Sequence, residues 1–130
     1  MSADIPVAVE IENRIVNSIY IKKEEYFMTN KVYSIEEIKN IVQPIAKEYG
    51  VQRVFLFGSY ARGEATPLSD LDFRVDKGNL KGLFALGGLY SDLKECFGKE
   101  LDLLTTDSLE PKFLKQIGNE EILIYESFHH

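Results

Sequence analysis

From Ser34 to Gly50 the chain reads "SIEEIKNIVQPIAKEYG", and Ile35, Ile38, Val42, Ile45 and Tyr49 recur every three or four positions. That period places them on one stripe of a helix. Ser34 and Glu37 have the spacing of a capping box, and Gly50 supplies a stop. Pro44 falls inside the pattern. It lacks an N–H and its ring crowds the preceding turn, so it predicts a bend or a break into two pieces. The run "VQRVFLF" (51–57) is short, apolar and β-rich, as a strand buried on both faces would be, and Gly58 ends it. "LDFRV" alternates Leu71, Phe73 and Val75 against Asp70, Asp72 and Arg74, which predicts a strand with one apolar face. From Leu80 to Phe97, Leu83, Phe84, Leu86, Tyr90, Leu93 and Phe97 return to a helical spacing, although Gly82, Gly87 and Gly88 lower its propensity. "ELDLLT" (100–105) reads as a third strand and "EILIYE" (121–126) as a last extended piece. Between them "LEPKFLKQIG" predicts a short helix with Pro111 in its first turn. Residues 1–33 are weaker in pattern: "IPVAVEIE" alternates like a strand and "YIKKEEYF" is charged.

These elements predict a single α/β domain, a small mixed sheet with helices packed mainly on one face. A chain of 130 residues has room for one such core and little more. A hydrophobic fraction of 45% and an aromatic fraction of 12% fit a packed chain rather than a disordered one. The formal net charge of −6 argues against broad nucleic-acid binding, which relies on Lys and Arg at phosphates. Cys96 is the single cysteine, which excludes an intrachain disulfide and a Cys-rich zinc site and points to the cytoplasm. The first residues carry no positive leader, and nowhere does an apolar run approach the roughly 18 residues of a membrane span.

The candidate chemistry lies in "FGSYARGEATPLSDLDF" (57–73). Asp70 and Asp72 are two apart on a strand, so their side chains leave one face and can grip one cation. Asp102 can lie on a neighbouring strand. Three hard oxygen donors suit Mg²⁺ or Mn²⁺ rather than zinc. Gly58 lets the backbone turn sharply and approach a ligand. If Ser59 opens a helix, its N–H and hydroxyl with the following N–H groups form an anion site for triphosphate oxygens. No Gly-Lys-Ser/Thr follows, so this is not a Walker loop. Arg62 is either an extra phosphate cation or the surface partner of Glu64. Each feature also has a plainer reading. Asp70 and Asp72 alone would suit a solvated strand face, Arg74 a surface pair with Asp76, and Ser69 a brace for the turn. Cys96 reads as core, and His129 and His130 as a terminal tag.

The series Gly-Ser, ten residues, Asp-x-Asp resembles the signature of the polymerase-β-like nucleotidyltransferases, and the internal "ARG" and "SD" resemble its minimal (MNT) branch. The resemblance covers residues 34–126, leaving 1–33 as an N-terminal extension and 127–130 as a tail. It implies that Gly58 and Ser59 hold the triphosphate, that Asp70 and Asp72 bind metal, and that Asp102 is a third carboxylate helping to activate the acceptor hydroxyl. It implies Mg²⁺ or Mn²⁺ as cofactor and ATP as substrate. It also implies a HEPN-family toxin as partner, to which AMP is added by this chain as antitoxin. Two alternatives stand beside that expectation: a catalytically silent module that neutralises a toxin by covering it, and an enzyme acting on a small-molecule hydroxyl such as that of an antibiotic.

Overall fold

A computed structural model describes residues 31–128. The strand-like pattern of residues 5–12 and the two terminal histidines lie outside that range. The order of elements is helix α1 (Ile35–Tyr49), strand β1 (Arg53–Phe57), a one-turn helix α2 (Gly58–Ala61), β2 (Leu71–Asp76), α3 (Gly82–Phe97), β3 (Leu101–Thr105), a short 3₁₀ turn, α4 (Pro111–Ile117) and β4 (Ile122–Glu126). The strands form one mixed sheet in the order β3-β2-β1-β4. β1 runs antiparallel to both β2 and β4, and β2 runs parallel to β3.

α1 begins as its sequence dictates: the Ser34 hydroxyl accepts from the Glu37 N–H while the Glu37 carboxylate accepts from the Ser34 N–H. Gly50, at φ 71, closes it in a left-handed conformation. Of the bend or break expected at Pro44, the break does not occur: the helix runs on through it as one element of 15 residues. Pro44 and Asn40, whose carbonyl loses its helical partner, are both exposed, so the lost bond falls on the solvent side of the helix. Ile38, Val42 and Ala46 form its buried stripe.

The core lies on one face of the sheet. Val54 and Leu56 of β1 stand beside Val75 and Phe73 of β2, and Leu71 stands beside Leu101 of β3. Over them pack α1 and the C-terminal half of α3, through Leu89, Leu93 and Phe97. Phe97 is fully buried between the rings of Phe73, at 5.8 Å, and Tyr33, edge-on at 5.1 Å, and its carbonyl accepts the Tyr33 hydroxyl. Tyr49 donates to Asp92 at 2.6 Å and ties the two long helices together.

Three expectations fail at the margins of this layer. β1 is central, but on its second face only Phe57 is buried, against α4, while Phe55 and Arg53 are half-buried. Phe55 on its second face lies under the Arg74 guanidinium, 4.1 Å from the ring centroid. Leu83 and Phe84 leave the buried stripe and are 83% and 98% exposed, the buried residues of α3 being Leu89, Leu93 and Phe97 in its C-terminal half. Cys96 is exposed rather than core, since the neighbouring Phe97 takes the inward position. Among the described residues no helix is long and apolar enough to cross a membrane.

Phe97→Ala removes a fully buried ring that two helices and the sheet share. The expected loss is about 3–5 kcal/mol, read as a lowered urea midpoint with an unchanged slope.

Candidate active site

The site is built where β1 gives way to α2. Phe57, the last residue of β1, pairs with Asp72 of β2, so Gly58 comes down directly beside the Asp72 side chain. Gly58 has φ 74, a conformation that L side chains rarely adopt. A Cβ there would also fall inside contact distance of Asp72 Oδ2. Glycine is therefore required twice, for the turn and for the room it leaves the carboxylate. Ser59 follows as the second residue of α2, a turn that no side chain caps. The N–H groups of that turn remain available to a ligand.

Asp72 and Asp102 are register partners on parallel neighbouring strands, so their side chains leave the same face of the sheet. That face is opposite the one covered by α1 and α3. Phe57, also on it, is buried edge-on against Phe113 of α4, which shelters the Asp72 end. The Asp72 carboxyl is pushed up to about 6, first by burial and then by Asp102, whose charge repels it and which can accept its proton in a hydrogen bond. Asp70 adds a further like charge, and the Arg62 guanidinium works in the opposite direction. Asp70, Asp72, Asp102 and Arg62 thus all contribute to one local field.

The expected three-carboxylate cluster is only partly assembled. Among the described residues no three acidic, histidine or cysteine side chains are gathered as a ready metal-ligand set. Asp72 and Asp102 converge across the β2–β3 pairing, while Asp70, exposed like Asp102, sits just before the first residue of β2. Three like charges drawn together without a cation would repel. The pair still fits a hard divalent cation: its donors are all oxygens, Asp72 is partly buried while Asp102 opens to solvent, and the two carry like charge beside a turn kept open by glycine. Mg²⁺ commonly takes one or two protein carboxylates and completes its octahedron with water and substrate phosphates.

Arg62 is paired with Glu64 at 3.2 Å, as one reading of the sequence had it, and also with Glu120 at 3.1 Å. Ser69 braces its turn by accepting the Thr66 N–H at 2.8 Å. Arg74 does meet Asp76, at 3.3 Å, but its main partner is Glu121, with two parallel bonds of 2.6 and 2.9 Å. Sequence reasoning missed Glu120, Glu121 and Lys99. The "NEE" before β4 was a visible acidic pair, but its cationic partners stand 58 and 47 residues away. Lys99 is 5% exposed and donates to the Pro67 carbonyl at 2.7 Å.

Because the Asp72 pKa is raised in the folded chain, the metal-free fold is favoured while this group is protonated. That advantage is whole below about pH 4 and is lost as the pH rises through about 6. In chelator, Asp72→Asn is therefore expected to be more stable than the parent chain at pH 8, by about 1 kcal/mol after allowance for solvent screening. Thermal melts should show the two converging at pH 4.

A family model described as polymerase beta, nucleotidyltransferase matches residues 36–129. A candidate protein adenylyltransferase of Methanocaldococcus jannaschii is 43% identical over 89 residues, covering 68% of this chain and 96% of that one. The protein adenylyltransferase MntA of Thermococcus cleftensis is 33% identical over 95 residues, 70% of this chain and 96% of that one. The fold is shared with a solved complex described as a tri-AMPylated Shewanella oneidensis HEPN toxin with MNT antitoxin, at a TM-score of 0.56 and 18% identity. That match covers 72% of this chain and 73% of that one. The glycine turn, the carboxylate strands and these matches agree: the chain belongs to the polymerase-β nucleotidyltransferase family, in its minimal nucleotidyltransferase branch.

Proposed function

We propose that this nucleotidyltransferase moves AMP from ATP to a hydroxyl of a partner protein of the HEPN class, and that it acts as the antitoxin of the pair. The observation that carries the reading is the in-register pair Asp72–Asp102, facing the turn at Gly58 and Ser59. The relatives named protein adenylyltransferase and the AMP-bearing toxin in the Shewanella complex support the nucleotide and the kind of acceptor.

In this reading Gly58, Ser59 and the uncapped N–H groups of α2 hold the triphosphate, with Arg62 exchanging one of its carboxylates for a phosphate oxygen. Asp72 and Asp102, with Asp70 joining them, would hold Mg²⁺. When bound, the ion supplies positive charge for the α-phosphate and the departing pyrophosphate. The acceptor oxygen bonds to the α-phosphorus as the bond from that phosphorus to the bridging oxygen breaks. Pyrophosphate leaves with the electron pair, and Asp102 takes the hydroxyl proton. The rate gain comes from in-line positioning and charge neutralisation.

With ATP, Mg²⁺ and the HEPN-class protein encoded beside it, the parent chain is expected to leave an AMP adduct on that protein, read by intact-mass spectrometry. Asp72→Asn and Asp102→Asn should each lower the transfer rate by about 100-fold or more while remaining folded, and excess EDTA should abolish it. Gly58→Ala should lose transfer as well, since the new methyl meets the Asp72 carboxylate. A partner that stays unmodified yet is neutralised equally well by the Asp72→Asn chain would overturn the enzymatic reading in favour of simple covering.

A further inference from the structure

Asp70 stands at the end of the loop that joins α2 to β2. Residues 62–70 connect α2 to β2; their first half is held by the Glu64 N–H on the Ser59 carbonyl, by Arg62 on Glu120 and by Ala65 against the core, whereas Leu68, at the outer point of the second half, is 90% exposed. Inside it, Thr66 and Ser69 are folded into a self-contained turn: the Thr66 N–H donates to the Ser69 hydroxyl, and the Ser69 N–H to the Thr66 carbonyl. That turn shapes residues 66–69 but does not attach them to the body of the protein. Two contacts do. The Leu71 N–H donates to the Glu100 carbonyl at 3.2 Å, and the Lys99 ammonium donates to the Pro67 carbonyl at 2.7 Å.

Both contacts come from the two residues immediately before β3, the strand that carries Asp102. Lys99 therefore joins the loop bearing one carboxylate to the strand bearing another. Its ammonium is almost wholly withdrawn from water and within the field of Asp70. Burying a lysine is costly, and a surface lysine would serve a merely solubilising role better. On this basis we infer that Lys99 is a positioning residue for the metal site, holding the Pro67–Asp70 segment so that the Asp70 carboxylate completes the Asp72–Asp102 pair. The inference rests on the metal-assisted reading above.

Positioning and plain electrostatics predict opposite signs, which makes the inference testable without turnover. Lys99→Met keeps the length of the side chain and removes its charge and its hydrogen bond. If Lys99 acted only as a nearby positive charge, its removal would tighten cation binding, because one repulsive charge is gone. If it positions Asp70, removal loosens a ligand and weakens binding, by about 10-fold or more.

The experiment titrates Mn²⁺ alone into each protein and reads the free ion by electron paramagnetic resonance. Lys94→Met serves as control: that exposed lysine pairs with Glu100 at 3.1 Å and touches neither the loop nor the carboxylates. The expected result is a Mn²⁺ dissociation constant raised about 10-fold in Lys99→Met, at an unchanged melting temperature, and unaltered in Lys94→Met. In transfer assays the Mg²⁺ concentration for half-maximal rate should rise, with less change in the rate at saturation. Equal or tighter Mn²⁺ binding by Lys99→Met overturns the inference and leaves the proposed activity standing. A parent chain that binds no Mn²⁺ overturns the inference too. A parent chain that binds Mn²⁺ but transfers no AMP refutes the activity alone. Should Lys99→Met not fold, Lys99→Leu, which also removes the charge and the hydrogen bond, takes its place with the same outcomes.

Discussion

Asp72 and Asp102 lie opposite each other on parallel strands, and their mutual repulsion is the constraint around which this end of the protein is arranged. The strand pairing that places them there is enforced from the other side of the sheet, where Leu71, Phe73 and Val75 are wholly buried under α1 and α3. A one-residue slip of β2 would send those three side chains into water and the carboxylates into the core. The apolar face thus holds the acidic face in a configuration that electrostatics alone would disperse. The Asp72 carboxyl, pushed up to about 6 first by burial and then by Asp102, carries part of that tension.

Beyond Phe57, which α4 covers through Phe113, the second face of the sheet is managed by pairing charges. Arg74, two residues beyond Asp72, is bound by Glu121, Asp76 and Thr106 and lies flat on Phe55. Arg53 joins Asp76 to Glu126. The Arg74–Glu121 pair is nearly buried, with two parallel bonds, so removal of either partner would strand a charge. Its neighbour Glu120 reaches Arg62 on the turn side of the site. Consecutive acids before β4 therefore hold one arginine beside the turn and another beside the carboxylate strand, linking the chain's C-terminal strand to both halves of the site. The cations near Asp70, Asp72 and Asp102 are already committed to other groups, so the site keeps its net negative charge and its appetite for a cation.

Much of this was legible along the chain because the signals are local. The capping box of Ser34 and Glu37, the stop at Gly50, Pro111 in the first turn of α4 and the alternation of β2 each depend on residues within a few positions of one another. The spacing from Gly58 and Ser59 to Asp70 and Asp72 was equally local, since one short loop joins the turn to the strand. Where the reading failed, the reason was a neighbour distant in sequence. Leu83 and Phe84 fit a helical stripe, but only the folded chain could show that α3 buries Leu89, Leu93 and Phe97 in its C-terminal half instead. Pro44 broke a local rule, and its exposure made the break unnecessary.

The order of residues by itself determined the elements, the apolar face of β2 and the presence of a Gly-Ser turn ahead of two acids, because period, capping and turn chemistry act over a few residues. It did not determine that Asp102 would stand in register with Asp72, that Asp70 would remain apart from them, or that Lys99 would reach the loop from 32 residues away. Those relations depend on how β3 is laid against β2 after the α3 crossover. That placement is decided by the packing of Leu89, Leu93 and Phe97 on the sheet, a contact among side chains that the chain brings together only when it folds.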